Sequence, residues 1–235
     1  MNHIIALSGG KDSTAMALRL AEVEPRSYIY VCTPTGDELP DVVRHWNKLE
    51  EIFSAPIIKV STGQTLQSLI ENKKCVPNWR MRFCTKELKI IPYQSWIMNH
   101  LPAISYVGLR ADEQGRSGIE WDNELKLTTR YPLRDWGWGI GEVHEYLIQR
   151  KIIIPDRTDC ARCFYQTLYE WYLLWMNHTD IYAHAEAQEV KYSHTFRSPQ
   201  RDTRPAALRD LREQFELGYL PKQRIRKGGC RICNL

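Results

Sequence analysis

An α/β architecture built on a doubly wound parallel sheet, carrying a helical, cysteine-bearing C-terminal extension, is the fold class this sequence predicts. Three observations lead there. Short apolar runs alternate with helical periodicity through the first two thirds of the 235 residues. The first run breaks directly into Ser8-Gly9-Gly10-Lys11-Asp12-Ser13 and a helix. Polar turns follow the later runs, and in open parallel sheets such turns gather on one ligand-binding edge.

In chain order, His3–Leu7 is the first predicted strand and Asp12–Ala21 the first helix. Tyr28–Cys32 forms the second strand and ends in Thr33-Pro34-Thr35-Gly36-Asp37-Glu38; Pro40, suited to a first helical turn, opens a helix to about Phe53. Ile57–Val60 reads as strand three, Thr65–Asn72 and Thr85–Met98 as helices, and Ile104–Leu109 as strand four. A glycine cluster and a helix occupy Trp136–Arg150, Ile152–Pro155 is extended, and residues 165–192 are helical and rich in aromatics. The stripe Tyr169, Trp171, Tyr172, Trp175 and Tyr182 is expected to be a packed helix face. With no internal repeat or low-complexity linker, the chain divides into a nucleotide-binding domain over 1–155 and the extension over 156–235.

The loop carries the first functional signal. Two adjacent glycines let backbone N–H groups turn toward an anion, Lys11 adds a charge, and the following helix presents its N-terminus. The spacing G-x-x-x-x-G-K-[ST] is absent, so the loop is not of the Walker A type. Asp37, at the end of strand two, is a candidate for holding Mg²⁺ or a ribose, with a plain turn-forming role as the alternative.

The hexapeptide resembles the pyrophosphate loop of the N-type ATP pyrophosphatases, an adenine nucleotide alpha hydrolase-like family with the HUP fold that includes the phosphoadenylyl-sulfate (PAPS) reductases and nucleic-acid thiolating enzymes. The resemblance implies that Ser8, Gly9, Gly10, Lys11, Asp12 and Ser13 bind ATP through its β,γ-pyrophosphate, with Lys11, Asp12 and Ser13 taking part in the chemistry at the α-phosphate and Mg²⁺ bridging the phosphate oxygens. Gly108-Leu109-Arg110-Ala111-Asp112-Glu113 is similar to a turn of the PAPS reductase branch, which implies that Gly108 approaches the nucleotide and Arg110 its phosphates. Tyr131-Pro132-Leu133-Arg134-Asp135-Trp136 resembles that branch too, and puts Arg134 within reach of an anionic substrate.

The seven cysteines fall into groups. Cys160-Ala161-Arg162-Cys163 and Cys230-Arg231-Ile232-Cys233 are two C-x-x-C pairs, able together to supply four ligands to one metal if the intervening helices fold back. Four cysteines alone leave zinc and iron–sulfur both open. The region around Arg82-Phe83-Cys84-Thr85 resembles that in which cluster-bearing reductases carry a cysteine pair, although Thr85 stands at the second position. That likeness implies a [4Fe–4S] cluster on Cys160, Cys163, Cys230 and Cys233, with Cys84 as a sulfur relay or a substitute ligand. Cys32 is expected in the core; Cys75 gives no signal.

Composition bounds the rest. No apolar run approaches the ~18 residues that span a bilayer and the first strand starts at His3, so a cytoplasmic protein with no membrane partner is expected. Between Arg197 and Arg231 there are ten Lys/Arg against four Asp/Glu, a candidate face for a polyanion or a solvated helix face. The reading that results is an ATP pyrophosphatase that adenylylates a substrate for sulfur incorporation. Its expected partners are a cysteine desulfurase or other sulfur donor and a nucleic acid, DNA before tRNA. The likeness is strongest to the ATP pyrophosphatases of DNA phosphorothioation and to phage PAPS-reductase-like proteins. PAPS or APS reduction and tRNA thiolation are the alternatives; the reductase motif E-C-G-[IL]-H is not found near Cys230. A homodimer is a candidate assembly.

Overall fold

The computed structural model describes residues 1–119, 121 and 125–223. Five strands, β1 (Asn2–Ala6), β2 (Ile29–Cys32), β3 (Ile57–Lys59), β4 (Ala103–Tyr106) and β5 (Leu127–Arg130), form one sheet in the order β3-β2-β1-β4-β5. All four pairings are parallel. The strand order reverses between β1 and β4, so their carboxyl ends open a crevice.

Side chains of β1 alternate between the two faces, as a pleated strand requires. Ile5 and Leu7 enter one apolar core, with residues of helices α1 (Lys11–Val23), α2 (Pro40–Phe53), α3 (Leu66–Lys73) and α7 (Ile140–Gln149). Ile4 and Ala6 enter the opposite one, against Tyr93 and Ile97 of α5 (Ile91–Met98). Helices therefore cover both faces, and the short turns α4 (Phe83–Thr85) and α6 (Pro132–Asp135) complete the layers.

Two elements differ from the sequence expectation. β5 went unassigned because Leu-Thr-Thr-Arg holds one apolar residue; it is an edge strand whose register against β4 supplies the pattern the sequence lacks. The helix expected over Thr85–Met98 contains a π-helical turn at Lys86–Ile90. Pro92 lacks an N–H, and its ring would collide with the Leu88 carbonyl in a regular α-helix; a π turn relieves that conflict.

The extension folds as α8 (Leu168–Asn177), α9 (Thr179–Tyr192) and α10 (Leu208–Glu216). Its Trp171, Tyr182, Phe196 and Leu208 join the same core as Ile5 and Leu7, so apolar packing runs across the division at 155. Of the expected packing stripe, Trp171 and Tyr182 are buried and Tyr172 and Trp175 pack against the core, whereas Tyr169 is half-buried and does not join it. Much of the basic surplus is committed internally. Arg197 is buried on Asp202, Arg201 donates to the Phe164 and Tyr165 carbonyls, Arg204 lies over the Tyr219 ring, and Arg212 pairs with Glu186 and Glu216. Among the described residues no helix is long and apolar enough to cross a membrane.

Candidate nucleotide-binding site

The Ser8–Ser13 loop joins β1 to α1, and its conformation is fixed from within. Gly10 N donates to Ser8 Oγ at 3.2 Å, and Ser13 Oγ donates to the Gly10 carbonyl at 3.1 Å. The 3.0 Å contact between the two hydroxyls then leaves Ser8 as donor to Ser13, which closes a ring of hydrogen bonds. From behind, Trp46 Nε1 of α2 donates to the Ser8 carbonyl at 3.0 Å.

Gly9 sits at φ +81, and a Cβ there would lie 2.7 Å from Trp46 Nε1. Gly9→Ala is therefore expected to cost about 1–3 kcal/mol through backbone strain, before counting the displaced indole. A thermal melt should show the loss, and ATP should restore less stability to this variant than to the parent. Gly108, after β4, fits equally tightly: a Cβ would stand 3.0 Å from Ser13 N, so β4's turn presses on the first turn of α1 across the switch point.

The loop opens into a cavity of about 720 Å³, bounded by Ser8, Gly10, Lys11, Asp12, Ser13 and Gly108 and, opposite, by Ile154–Asp159 and one face of α8. That volume lies within the range that takes a small organic ligand. Lys11 lines the cavity and makes no ion pair among the described residues. Of the six loop residues and Gly108, all but Gly9 line this cavity; Gly9 packs against Trp46 and His45 of α2.

Arg110 takes another part. It is fully buried, with Nη1 2.9 Å from Asp12 Oδ2, Nε 2.8 Å from Asp112 Oδ1 and Nη2 3.8 Å from Glu113 Oε1. Its fork is spent on carboxylates, and it positions Asp12 rather than facing the cavity. Burial pushes the Asp12 carboxyl up, and Arg110 works against that. Asp12 Oδ1 has no hydrogen-bond partner among the described residues. A carboxylate oxygen left unsatisfied beside a phosphate loop suits Mg²⁺, which binds through one or two carboxylates plus substrate phosphates. Arg134 likewise turns inward, donating to the Glu113 and Arg116 carbonyls at 2.8 and 2.6 Å, and so staples the turn after β4.

Asp37 departs furthest from expectation. It does not line the cavity; its carboxylate accepts from Arg162 Nε at 2.7 Å and Arg162 N at 2.8 Å, while its carbonyl accepts from Ala161 N at 2.6 Å. An Asp committed in this way is paired with a buried guanidinium and lies off the cavity. It anchors the C-x-x-C turn to the end of β2, and Glu38 forms an antiparallel bridge with Cys160. Arg162 extends the anchor to Gln67 of α3 and Gln188 of α9.

Cys84, Cys160 and Cys163 line a separate small cavity of about 10 Å³. Cys230 and Cys233 lie outside the described residues. The three thiols are the donor type that zinc and iron–sulfur clusters take, and hydrogen bonds to sulfur join Thr35 Oγ1 to Cys160 at 3.2 Å and Tyr165 N to Cys163 at 3.4 Å. Burial pushes the Cys160 thiol up to about 12 and that of Cys163 well above its ordinary value. Among the described residues no three ligand groups stand close enough to hold an ion. The set matches a thiolate-held group in donor type alone. None of the described cysteines lines the nucleotide cavity, so Cys84 stands with the C-x-x-C pair and away from the loop.

Two groups of lining residues were missed in the sequence. His45 and Lys48 project from α2, and Thr158 and Asp159 come from the segment leading into Cys160. The α2 residues had a legible signal: Asp41, Arg44, His45 and Lys48 recur at helical spacing on one face. The 156–159 segment had none, because its meeting with the loop, Thr158 against Gly10, joins residues far apart in the chain.

Residues 2–156 match the family model described as the phosphoadenosine phosphosulfate reductase domain. No curated protein matches the chain. Among solved structures it is similar to phosphoadenylyl-sulfate (PAPS) reductase from Candida auris in its phosphate complex, with a TM-score of 0.50 and 15% identity, over 66% of this chain and 75% of that one. At that identity the likeness is one of fold.

Proposed function

Because the chain belongs to the phosphoadenosine phosphosulfate reductase domain family, we propose that it is an adenine-nucleotide enzyme of sulfur chemistry that cleaves ATP between the α- and β-phosphates to adenylylate an acceptor. The observation that carries this reading is the loop itself: a closed hydrogen-bonded turn at the β1/β4 switch point, a helix N-terminus and Lys11, all bounding a cavity of about 720 Å³.

In this reading an acceptor oxygen bonds to the α-phosphorus as the bond to the bridging oxygen breaks, and pyrophosphate leaves. Lys11 and the loop amides stabilise the charge that develops on the departing pyrophosphate. Mg²⁺, held by Asp12 Oδ1, would neutralise phosphate charge and orient the leaving group. Arg110 holds Asp12 in place. A thiolate or persulfide sulfur then bonds to the acceptor atom and expels AMP. Cys84, Cys160 and Cys163, with Cys230 or Cys233 as further ligands, would hold a metal or [4Fe–4S] group, whose chemistry is to bind or relay sulfur or electrons.

PAPS reduction is the second reading, favoured by the family match. The two are separated by product. ATP pyrophosphatase activity predicts pyrophosphate release from ATP, stimulated by the true acceptor when DNA, tRNA and no acceptor are compared. Sulfite release from PAPS with a dithiol reductant, and no pyrophosphate from ATP, would overturn it. Anaerobic metal analysis tests the thiol site in parallel: iron with sulfide supports a cluster, and stoichiometric zinc without iron excludes it.

A further inference from the structure

The α2 wall of the cavity contains a group that the proposed chemistry does not use. His45 is only 4% exposed, it lines the cavity, and its Nε2 is buried without a hydrogen-bond partner among the described residues. Its Cδ2, bonded to Nε2, comes 3.4 Å from where a Gly9 side chain would begin, which places that edge of the ring beside the phosphate loop. A buried nitrogen left unsatisfied destabilises the free protein, and a ligand arriving in the loop would remove that cost. Lys48 follows one helical turn later on the same cavity wall, with no carboxylate partner among the described residues.

We propose that His45 and Lys48 form a second anion-binding wall beside the loop amides, in which His45 Nε2 donates a hydrogen bond to a phosphate oxygen of the ligand's terminal phosphates and Lys48 supplies countercharge. The inference rests on the reading that the loop holds those phosphates, and adds the residues that grip them from α2.

A donor at Nε2 has a measurable consequence. Burial lowers the His45 pKa, the Gly9 backbone beside the ring works against that, and the Lys48 charge lowers it further, so the free imidazole is neutral near pH 7. The other charges around it are the Arg44–Asp41 pair on α2 and Lys11 in the loop. Asp156, Arg157 and Asp159 add theirs from the segment across the cavity. The anionic ligand tips this balance, and the ring takes a proton from solvent on binding.

Inorganic pyrophosphate titrated calorimetrically at pH 7.5, in two buffers of different ionisation enthalpy, reads both affinity and proton uptake on the full chain. The parent should take up a fraction of a proton that His45→Phe does not, and His45→Phe should bind about tenfold more weakly. His45→Gln keeps a donor that does not titrate; it should lose the uptake and recover part of the affinity. Lys48→Gln should weaken binding and keep the uptake. Equal uptake in parent and His45→Phe, or equal affinity, overturns the proposal provided both melt at the same temperature, as does a parent that does not bind pyrophosphate. If His45-dependent uptake is found while ATP yields no pyrophosphate, the adenylylation reading fails and the anion wall stands. If pyrophosphate is released and the His45 variants behave as the parent, the reverse holds.

Discussion

Lys11→Ala is expected to lower pyrophosphate release from ATP by about 10²–10³-fold, the scale on which a single donor to developing charge acts in a closed site. Folding should be untouched, because Lys11 makes no ion pair among the described residues and opens α1 at the cavity edge. The loop's shape rests on Ser8, Gly10, Ser13 and Trp46, none of which involves the Lys11 side chain. Lys11→Arg should recover only a fraction, since a planar fork replaces a compact ammonium. The measurement is steady-state pyrophosphate release alongside a thermal melt. An unchanged rate in a well-folded Lys11→Ala protein would remove the loop from the chemistry, and a matched loss of melting temperature would reassign Lys11 to structure.

Why Lys11 could be picked from sequence, while the partners of Arg110 and Asp37 could not, follows from what a motif encodes. Ser8–Ser13 is local: strand, turn and helix start lie within a few residues, and their backbone demands are written in the glycines. Gly108 was legible for the same reason, although its contact with Ser13 N crosses the sheet. Arg110 stands at the position expected of a phosphate ligand, yet its partners arrive from α1 and from its own turn, and spacing does not show that three carboxylates will converge on it. Asp37 depends on Arg162, 125 residues away, whose backbone and side chain both reach it. β5 was invisible because an edge strand of mixed polarity takes its conformation from β4. Cys84, Cys160 and Cys163 were singled out as chemical residues from spacing and resemblance, and their meeting around one small cavity follows from the π turn and the Asp37 anchor together.

That anchor supports the second large effect. Asp37 and Arg162 are 8% and 4% exposed, with Arg162 Nη2 2.6 Å from Asp37 Oδ1. Asp37→Leu leaves a buried guanidinium with only the uncharged side chains of Gln67, Gln188 and His184 as partners, and removing one member of a buried pair costs about 3–5 kcal/mol. The double variant Asp37→Leu with Arg162→Met, which leaves no orphaned charge, should lose distinctly less than Asp37→Leu alone. Urea unfolding of the parent, the single variant and the double variant measures this; a single-variant loss below about 1 kcal/mol would show that the pair contributes nothing beyond a surface ion pair. The variant also separates stability from function. The Asp37 carboxylate accepts from both the backbone N–H and Nε of Arg162, so its loss removes those ties and leaves the turn between Cys160 and Cys163 held to the end of β2 by main-chain bonds, Ala161 N to the residue-37 carbonyl and the Glu38–Cys160 bridge. Labelling of these two buried thiols should accelerate in Asp37→Leu, whereas Cys32, held in the sheet, should react no faster. Because Asp156–Asp159 lines the nucleotide cavity and runs straight into Cys160, the same substitution should weaken ATP binding without touching the loop. A variant that labels faster yet binds ATP as the parent does would show that the thiol turn and the nucleotide cavity are mechanically independent.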